Sequence, residues 1–231
     1  LNLFYQPDLP AGAFHLDEDE SRHAVRVLRM EDGDLLDVTD GKGILYKCRI
    51  TKADSKKCHF EVIEKREQQK KNDFIHIAIA PTKNADRIEW FVEKAVEIGV
   101  DQISFVFCQK SERKNINIER IQKVAISAMK QSQQSTLPLL TLLLPFNQIV
   151  SVKADQKFIA YVDQDNPDLL KNKAAKGKNC LVLIGPEGDF SKEELNLAFQ
   201  NHFIKVSLGP NRLRTETAGL AACHILNLIN Q

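Results

Sequence analysis

The chain has 231 residues, 43% of them hydrophobic, with 32 Lys and Arg against 31 Asp and Glu and a formal net charge of +1. That length serves one large domain or a small one joined to a medium one, and the near-neutral balance excludes a uniformly basic surface, so contact with nucleic acid has to come from local patches. No apolar run approaches a membrane span and the opening LNLFYQPDLP lacks the basic and apolar regions of a secretion signal, so a cytoplasmic protein is expected.

From Phe4 to about Ile63 the pattern is that of a small β-rich unit, with strand runs LLDVTD, ILYKCRITK and CHFEVIEK separated by DGKG and ADSKK turns. One helix precedes the strands: Asp17 and Glu20 are spaced as a capping box, and HAVRVLRM carries apolar residues at helical spacing. KREQQKKN, Lys65 to Asn72, is charged and aperiodic and reads as a linker, dividing the chain into domains 1–70 and 73–231. Beyond it come FIHIAIAP, a helix from Ala85 to Ile98, ISFVFC, a helix from Ile118 to Ser132, then KFIAYV, CLVLIG and IKVSLG and a last helix. Strands that are apolar without alternation are buried on both faces, which makes the second domain α/β with a parallel sheet. Cys48, Cys58, Cys108, Cys180 and Cys223 are odd in number, scattered and free of C-x-x-C pairs; they read as buried thiols, with no metal site expected.

Two loops carry the chemistry. LVLIGPEGDFSKEE runs strand, turn, helix, with Ser191 and Glu194 spaced as a capping box. Its glycines fit neither dinucleotide nor P-loop spacing, and Glu187 and Asp189 put negative charge where a pyrophosphate would sit, so a cationic cofactor suits it better. The alternative is a plain turn. IKVSLGPNRLRTETA repeats the layout, with Thr215 as a possible cap. Glu216 is favoured by the helix dipole there, whereas Arg214 is disfavoured by it and is either solvated or matched to an external anion. The last helix is apolar all round, which implies a core helix or one that pairs with another subunit, and His224 within it reads as buried.

Basic faces are a third signal. Arg22, Arg26 and Arg29 follow helical spacing and would form one stripe on the first domain, suited to phosphate or simply to solvent. Arg87, Trp90, Lys94 and Glu97 share the helix face opposite Ile88, Val92 and Ala95, and an exposed Trp suggests an interface or substrate contact.

With these residues in view, the sequence resembles the SPOUT superfamily of methyltransferases and, within it, the RsmE family of 16S ribosomal RNA uridine-N3 methyltransferases. HAVRVLRMEDGD, EWFVEKAVEIGV, KQSQQSTLP, IGPEGDFS and SLGPNRLRTETA carry the resemblance, in order and over nearly the whole chain. It implies a PUA-like RNA-binding domain, a SPOUT domain with a C-terminal deep trefoil knot, S-adenosyl-L-methionine as cofactor, 16S ribosomal RNA or the small subunit as partner, and a homodimer. Carried over by motif, Ile184, Gly185, Pro186, Glu187, Gly188, Leu208, Gly209 and Leu213 would hold the cofactor. Arg22, His23, Arg26, Arg29 and Arg212 would contact RNA. Arg214 is the candidate for stabilising a developing uridine anion; Glu187 and Glu216 are candidate bases, unless the first serves the cofactor and the second its helix. Asp189 stands where the family has Gly, Asn211 and Arg212 where Arg and Ile are common, and Lys130, Gln133 and Gln134 where Glu, Gly and Arg are expected. A SPOUT enzyme acting on another RNA, and a non-catalytic RNA-binding or ribosome-assembly protein, are the alternatives.

Overall fold

The computed structural model describes residues 2–69, 71–161 and 168–231. The chain divides into two units, one of Leu1–Lys70 with Ile126–Leu137, the other of Lys71–Ala125 with Pro138–Gln231.

In the first unit a four-stranded sheet runs in chain order: β1 (Leu3–Tyr5), β2 (Leu35–Thr39), β3 (Ile44–Lys52) and β4 (His59–Glu67), with β1 parallel to β2 and the rest antiparallel. Alternate residues turn inward, and Val38, Tyr46, Cys48, Ile50 and Phe60 meet Phe4, Leu16 and Ala24 in one core. β4 extends into the stretch that reads as a linker. Lys65, Arg66 and Glu67 pair with Tyr46, Leu45 and Ile44, so ladder hydrogen bonds hold a charged segment whose side chains face water. Gln68 continues the attachment through its N–H to the Gly43 carbonyl at 2.8 Å; Lys70 lies outside the described residues.

The first helix also departs from the sequence reading. Asp17 caps it as expected, accepting from the Glu20 N–H at 2.8 Å, but the α-helical part, α1, spans only Glu18–Arg22. A π-helical turn follows over His23–Val27, and Arg29 sits at φ 56. The extra residue per turn and the left-handed Arg29 destroy the i, i+4, i+7 register, so Arg22, Arg26 and Arg29 do not make a single helical stripe. Arg22 is moreover held by Glu18 at 2.8 Å and Asp19 at 3.3 Å.

KQSQQSTLP binds to this sheet's hairpin turn. The Ser135 carbonyl accepts from Thr39 Oγ1 at 2.8 Å and the Gly43 N–H at 3.0 Å, and the Leu137 N–H donates to Gly41 O at 2.8 Å. The altered charges of this motif have structural causes. Lys130 forms an ion pair with Glu20 of α1, and Gln133, where the resemblance leads to the expectation of Gly, occupies the left-handed region at φ 56.

The second unit is a six-stranded, wholly parallel sheet. β5 (Phe74–Ile79), β6 (Gln102–Phe107), β7 (Leu139–Pro145), β8 (Gln156–Ala160), β9 (Asn179–Ile184) and β10 (Ile204–Val206) lie in the order β10-β8-β9-β5-β6-β7. Val162, the end of the KFIAYV run, lies outside the described residues. β5 and β9 are central and almost entirely buried, as their unbroken apolar runs require. One face is covered by α4 (Phe146–Val150) and α6 (Lys192–Gln200), whose Phe146, Ile149 and Ala198 join Phe190 and Phe203 in the core. On the other side α2 (Ala85–Ile98) packs against α7 (Thr215–Asn230), and α7 against β5. Gly219 permits that approach: a Cβ there would come within 2.7 Å of the buried Phe91 ring and 2.9 Å of Ile79 Cδ1. α3 spans Ile118–Gln131 and α5 spans Leu170–Lys173.

α7 buries Gly219, Ala222, Cys223 and Leu226 but not its whole circumference. Thr217, His224 and Leu228 are exposed in the single chain, Leu228 at 54%, so His224 is not the buried histidine expected. All five cysteines are free and buried, and no described helix is long and apolar enough to cross a membrane.

Candidate active site at the C-terminal ends of three strands

In an open parallel sheet, loops leaving the carboxyl ends of the strands enclose the ligand site. Here the ends of the three neighbours β8, β9 and β10 surround a cavity of about 740 Å³, within the range of small-molecule sites. Ala160 and Tyr161 contribute from β8, Ile184 to Glu187 and Asp189 from the loop after β9, and Val206 to Thr215 from the chain after β10. Ile184, Leu208 and Leu213 supply apolar wall; Glu187, Asp189, Arg212 and Arg214 supply charge.

Most of the predicted cofactor residues therefore come together, with two qualifications. Gly188 does not line the cavity. It packs outward, where a Cβ would press on Lys110 Cβ at 3.2 Å. Gly185 lines it, yet its lack of a side chain is demanded by Phe190, whose ring would stand 3.0 Å from a Cβ. Gly209 is the contrary case: at φ 145, with open space where a Cβ would be, it presents bare backbone to the cavity.

The charged groups differ in how they are held. The Glu187 side chain accepts from the Lys83 N–H at 3.1 Å and is otherwise exposed. Asp189 sits at φ 62, a conformation natural to the family's Gly and tolerable for Asp, and its Oδ1 accepts from the Phe190 N–H at 2.8 Å. Burial pushes its carboxyl upward, opposed by that hydrogen bond and by the Lys110 and Arg212 cations.

Arg214 is the N-cap of α7, in extended conformation, with its carbonyl accepting from the Ala218 N–H at 2.8 Å; no side chain caps this helix. Thr215, read as the cap, lies one residue inside and donates its hydroxyl to the Gly185 carbonyl at 3.0 Å, tying the two loops together. Arg212 and Arg214 are exposed and have no ion pair among the described residues. Glu216 lies outside the lining. It is 7% exposed, with Oε1 3.8 Å from Arg87 Nε and Oε2 without a partner. Arg87 itself reaches the cavity from α2, nearly a hundred residues before the loops. Its place opposite Ile88, Val92 and Ala95 was the one sequence signal for it. Tyr161 had none.

Arg22, His23, Arg26 and Arg29 belong to the first unit and are exposed there; Arg26 and Arg29 have no carboxylate partner among its described residues.

Residues 68–227 match the family model of an RNA methyltransferase domain, and residues 16–63 that of an RNA methyltransferase PUA domain. The chain is 27% identical to the ribosomal RNA small subunit methyltransferase E of Buchnera aphidicola over 95% of its length and 90% of the relative's. It is likewise 27% identical to that of Bacillus subtilis, over 92% and 88%. Among solved structures, a probable rRNA-methyltransferase from Porphyromonas gingivalis superposes with a TM-score of 0.94 at 44% identity, covering 100% of this chain and 98% of that one. Lpg2936 of Legionella pneumophila, named as a methyltransferase and solved with its cofactor SAM bound, superposes with a TM-score of 0.86 at 26% identity, covering 99% and 97%. A PUA domain followed by an RNA methyltransferase domain, matched over nearly the full chain, places the protein in the RsmE family of RNA methyltransferases.

Proposed function

We propose that the protein methylates N3 of a uridine in 16S ribosomal RNA, using S-adenosyl-L-methionine held in the cavity at the ends of β8, β9 and β10. The observation that carries this reading is the composition of that cavity: apolar wall from Ile184, Leu208 and Leu213, bare backbone at Gly209, acids at 187 and 189 on the β9 loop, and arginines at 87, 212 and 214. The apolar wall and the acids suit a cofactor with an apolar body and a positive charge, and the arginines suit the RNA that has to meet it. When bound, the cofactor supplies an electrophilic methyl group on a sulfonium centre.

The chain's own residues have three tasks. Uridine N3 carries a proton and is a poor nucleophile until it leaves, so the base has to be held in line, deprotonated, and stabilised as negative charge spreads to its carbonyl oxygens. Arg214 performs the last task. The dipole of α7 works against a cation at its N-terminus and no carboxylate pairs with Arg214, so its charge is available to an external anion, a role worth about 3 kcal/mol of barrier. Glu216 acts at a remove, holding Arg87 at the cavity wall. Glu187, on the rim and tied to the Lys83 backbone, takes the proton that leaves N3. Arg212, on the same rim, contacts RNA, as do His23, Arg26 and Arg29 of the first unit. The target base has to leave its stack to reach the cavity.

A homodimer and the knotted path belong to the same proposal. The exposed His224 and Leu228 of α7 and Trp90 of α2, 42% exposed, supply an apolar surface of the kind subunits cover. The insertion of β9 between β5 and β8, followed by the return of β10 beyond β8, supports the knot. Mass spectrometry of ribosomal RNA nucleosides from cells with and without the protein tests the reaction: loss of N3-methyluridine from 16S RNA is expected, and its persistence would overturn the assignment.

A further inference from the structure

We propose that the loop after β6 forms a phosphate-binding track for the RNA strand flanking the target base, continuing Arg212 and Arg214 along the cavity rim. The proposal rests on the RNA substrate of the preceding reading and adds a surface in the methyltransferase unit itself.

QKSERK, Gln109 to Lys114, carries Lys110, Arg113 and Lys114, and its one carboxylate, Glu112, is already paired with Lys83 at 2.9 Å, which leaves the three loop cations without an ion pair among the described residues. A charged loop of this kind is ordinarily solvated and mobile; this one is fixed at several points. Ser111 Oγ accepts from the Cys108 N–H at 3.0 Å, and Glu194, the capping residue of α6, accepts from the Gln109 N–H at 2.8 Å. Arg113 donates through Nε to the Thr82 carbonyl at 3.0 Å and through Nη2 to the Lys83 carbonyl at 2.8 Å. Lys110 lays its stem over Gly188 and donates to the Phe190 carbonyl at 3.2 Å. The loop is thereby fastened to the same turn, 185–190, that walls the cavity.

The partners leave the charge unspent. Carbonyl oxygens fix Arg113 without neutralising it, and Lys114 has no ion pair or hydrogen bond among the described residues. Lys110 and Arg212 both act on Asp189, which lines the cavity, so the loop after β6 and the loop after β10 each bring a cation to one rim residue. A rigid basic surface costs little ordering on binding, and its continuity with the cavity favours the backbone of a strand whose base is inserted there over an acidic protein partner.

The test is fluorescence anisotropy of the full chain with a uridine oligoribonucleotide of about 12 residues over a range of salt, each phosphate contact on a single strand contributing about 0.7 to the slope of log affinity against log salt. Lys110→Ala with Lys114→Ala should flatten that slope by about 1.4 and weaken binding about tenfold or more at low salt. Lys114→Ala alone should act in the same direction with about half the change in slope, Lys110→Arg with Lys114→Arg should retain binding, and calorimetric affinity for S-adenosyl-L-methionine should not change. An unchanged slope in both alanine variants, with wild-type binding intact, would overturn the track alone. Wild-type protein that fails to bind the oligonucleotide even at low salt would overturn the RNA reading with it. Loss of binding to an acidic peptide but not to RNA would reassign the surface to a protein partner.

Discussion

The loops after β9 and β10 carry the same Gly-Pro pair and line the same cavity, yet they are built differently. The first is a packed wall: Gly185 lies under the Phe190 ring, Gly188 under Lys110, and the full Ser191–Glu194 capping box starts the helix that follows. The second is an open lip, with Gly209 at φ 145 facing empty space, Arg212 and Arg214 exposed, and a helix whose N-terminus no side chain caps. Equivalent motifs thus divide the labour. Packing specifies the wall before any ligand arrives, whereas the lip keeps its polar groups for what binds.

The largest expected effect breaks the lip. Arg214→Ala at saturating cofactor should lower the single-turnover methylation rate about a hundredfold, the equivalent of about 3 kcal/mol, with cofactor affinity little changed; an unaltered rate would remove Arg214 from the chemistry. Next come the two glycines. Gly185→Ala should cost about 2 kcal/mol through crowding, and thermal melts should show partial recovery when Phe190→Leu is added. Gly209→Ala should cost about 1–2 kcal/mol through backbone strain, and no trimming of a neighbour should recover it.

A smaller pair of changes has opposite signs. Ser191→Ala removes a cap and should destabilise by about 1 kcal/mol, while Arg214→Ser supplies one to α7 and should stabilise by up to about 1 kcal/mol while losing activity. A gain in stability at the expense of turnover would mark the lip as kept uncapped for function.

The smallest effect is a pH dependence. Burial raises the Asp189 carboxyl above its ordinary value, so the folded chain holds that proton to higher pH than the unfolded chain does. The favourable contribution is complete below the unfolded carboxylate range and is lost as pH rises through the folded value. Asp189→Asn should therefore raise the melting temperature slightly at neutral pH and leave it unaltered in strong acid. The reverse pattern would place the carboxylate in solvent or in a tight ion pair.

The sequence made the wall more legible than the lip. β5, β9, α2 and the α6 capping box follow from unbroken apolar runs, helical periodicity and the Ser-x-x-Glu signature, all local. Long-range causes stayed hidden. LLTLLLP does not announce β7, an edge strand with Leu139 and Leu142 exposed, and Lys65 to Glu67 become strand only because β3 offers them a ladder. Arg87 and Tyr161 enter the cavity from remote elements, and the hydroxyl of Thr215 turns from its own helix to the Gly185 carbonyl. Arg29 lost its helical register to a π-turn that no residue spacing signals.

The Glu20–Lys130 pair has a practical meaning for chimeric enzymes. Both side chains are mostly buried, at 13% and 24% exposure, and the second oxygen of Glu20 already lacks a partner. Replacing Lys130 with Glu would face one largely buried carboxylate with another, while changing Glu20 alone would strand an ammonium group; removing one partner of such a pair costs about 3–5 kcal/mol. A chimera would have to carry both positions together, although 110 residues separate them.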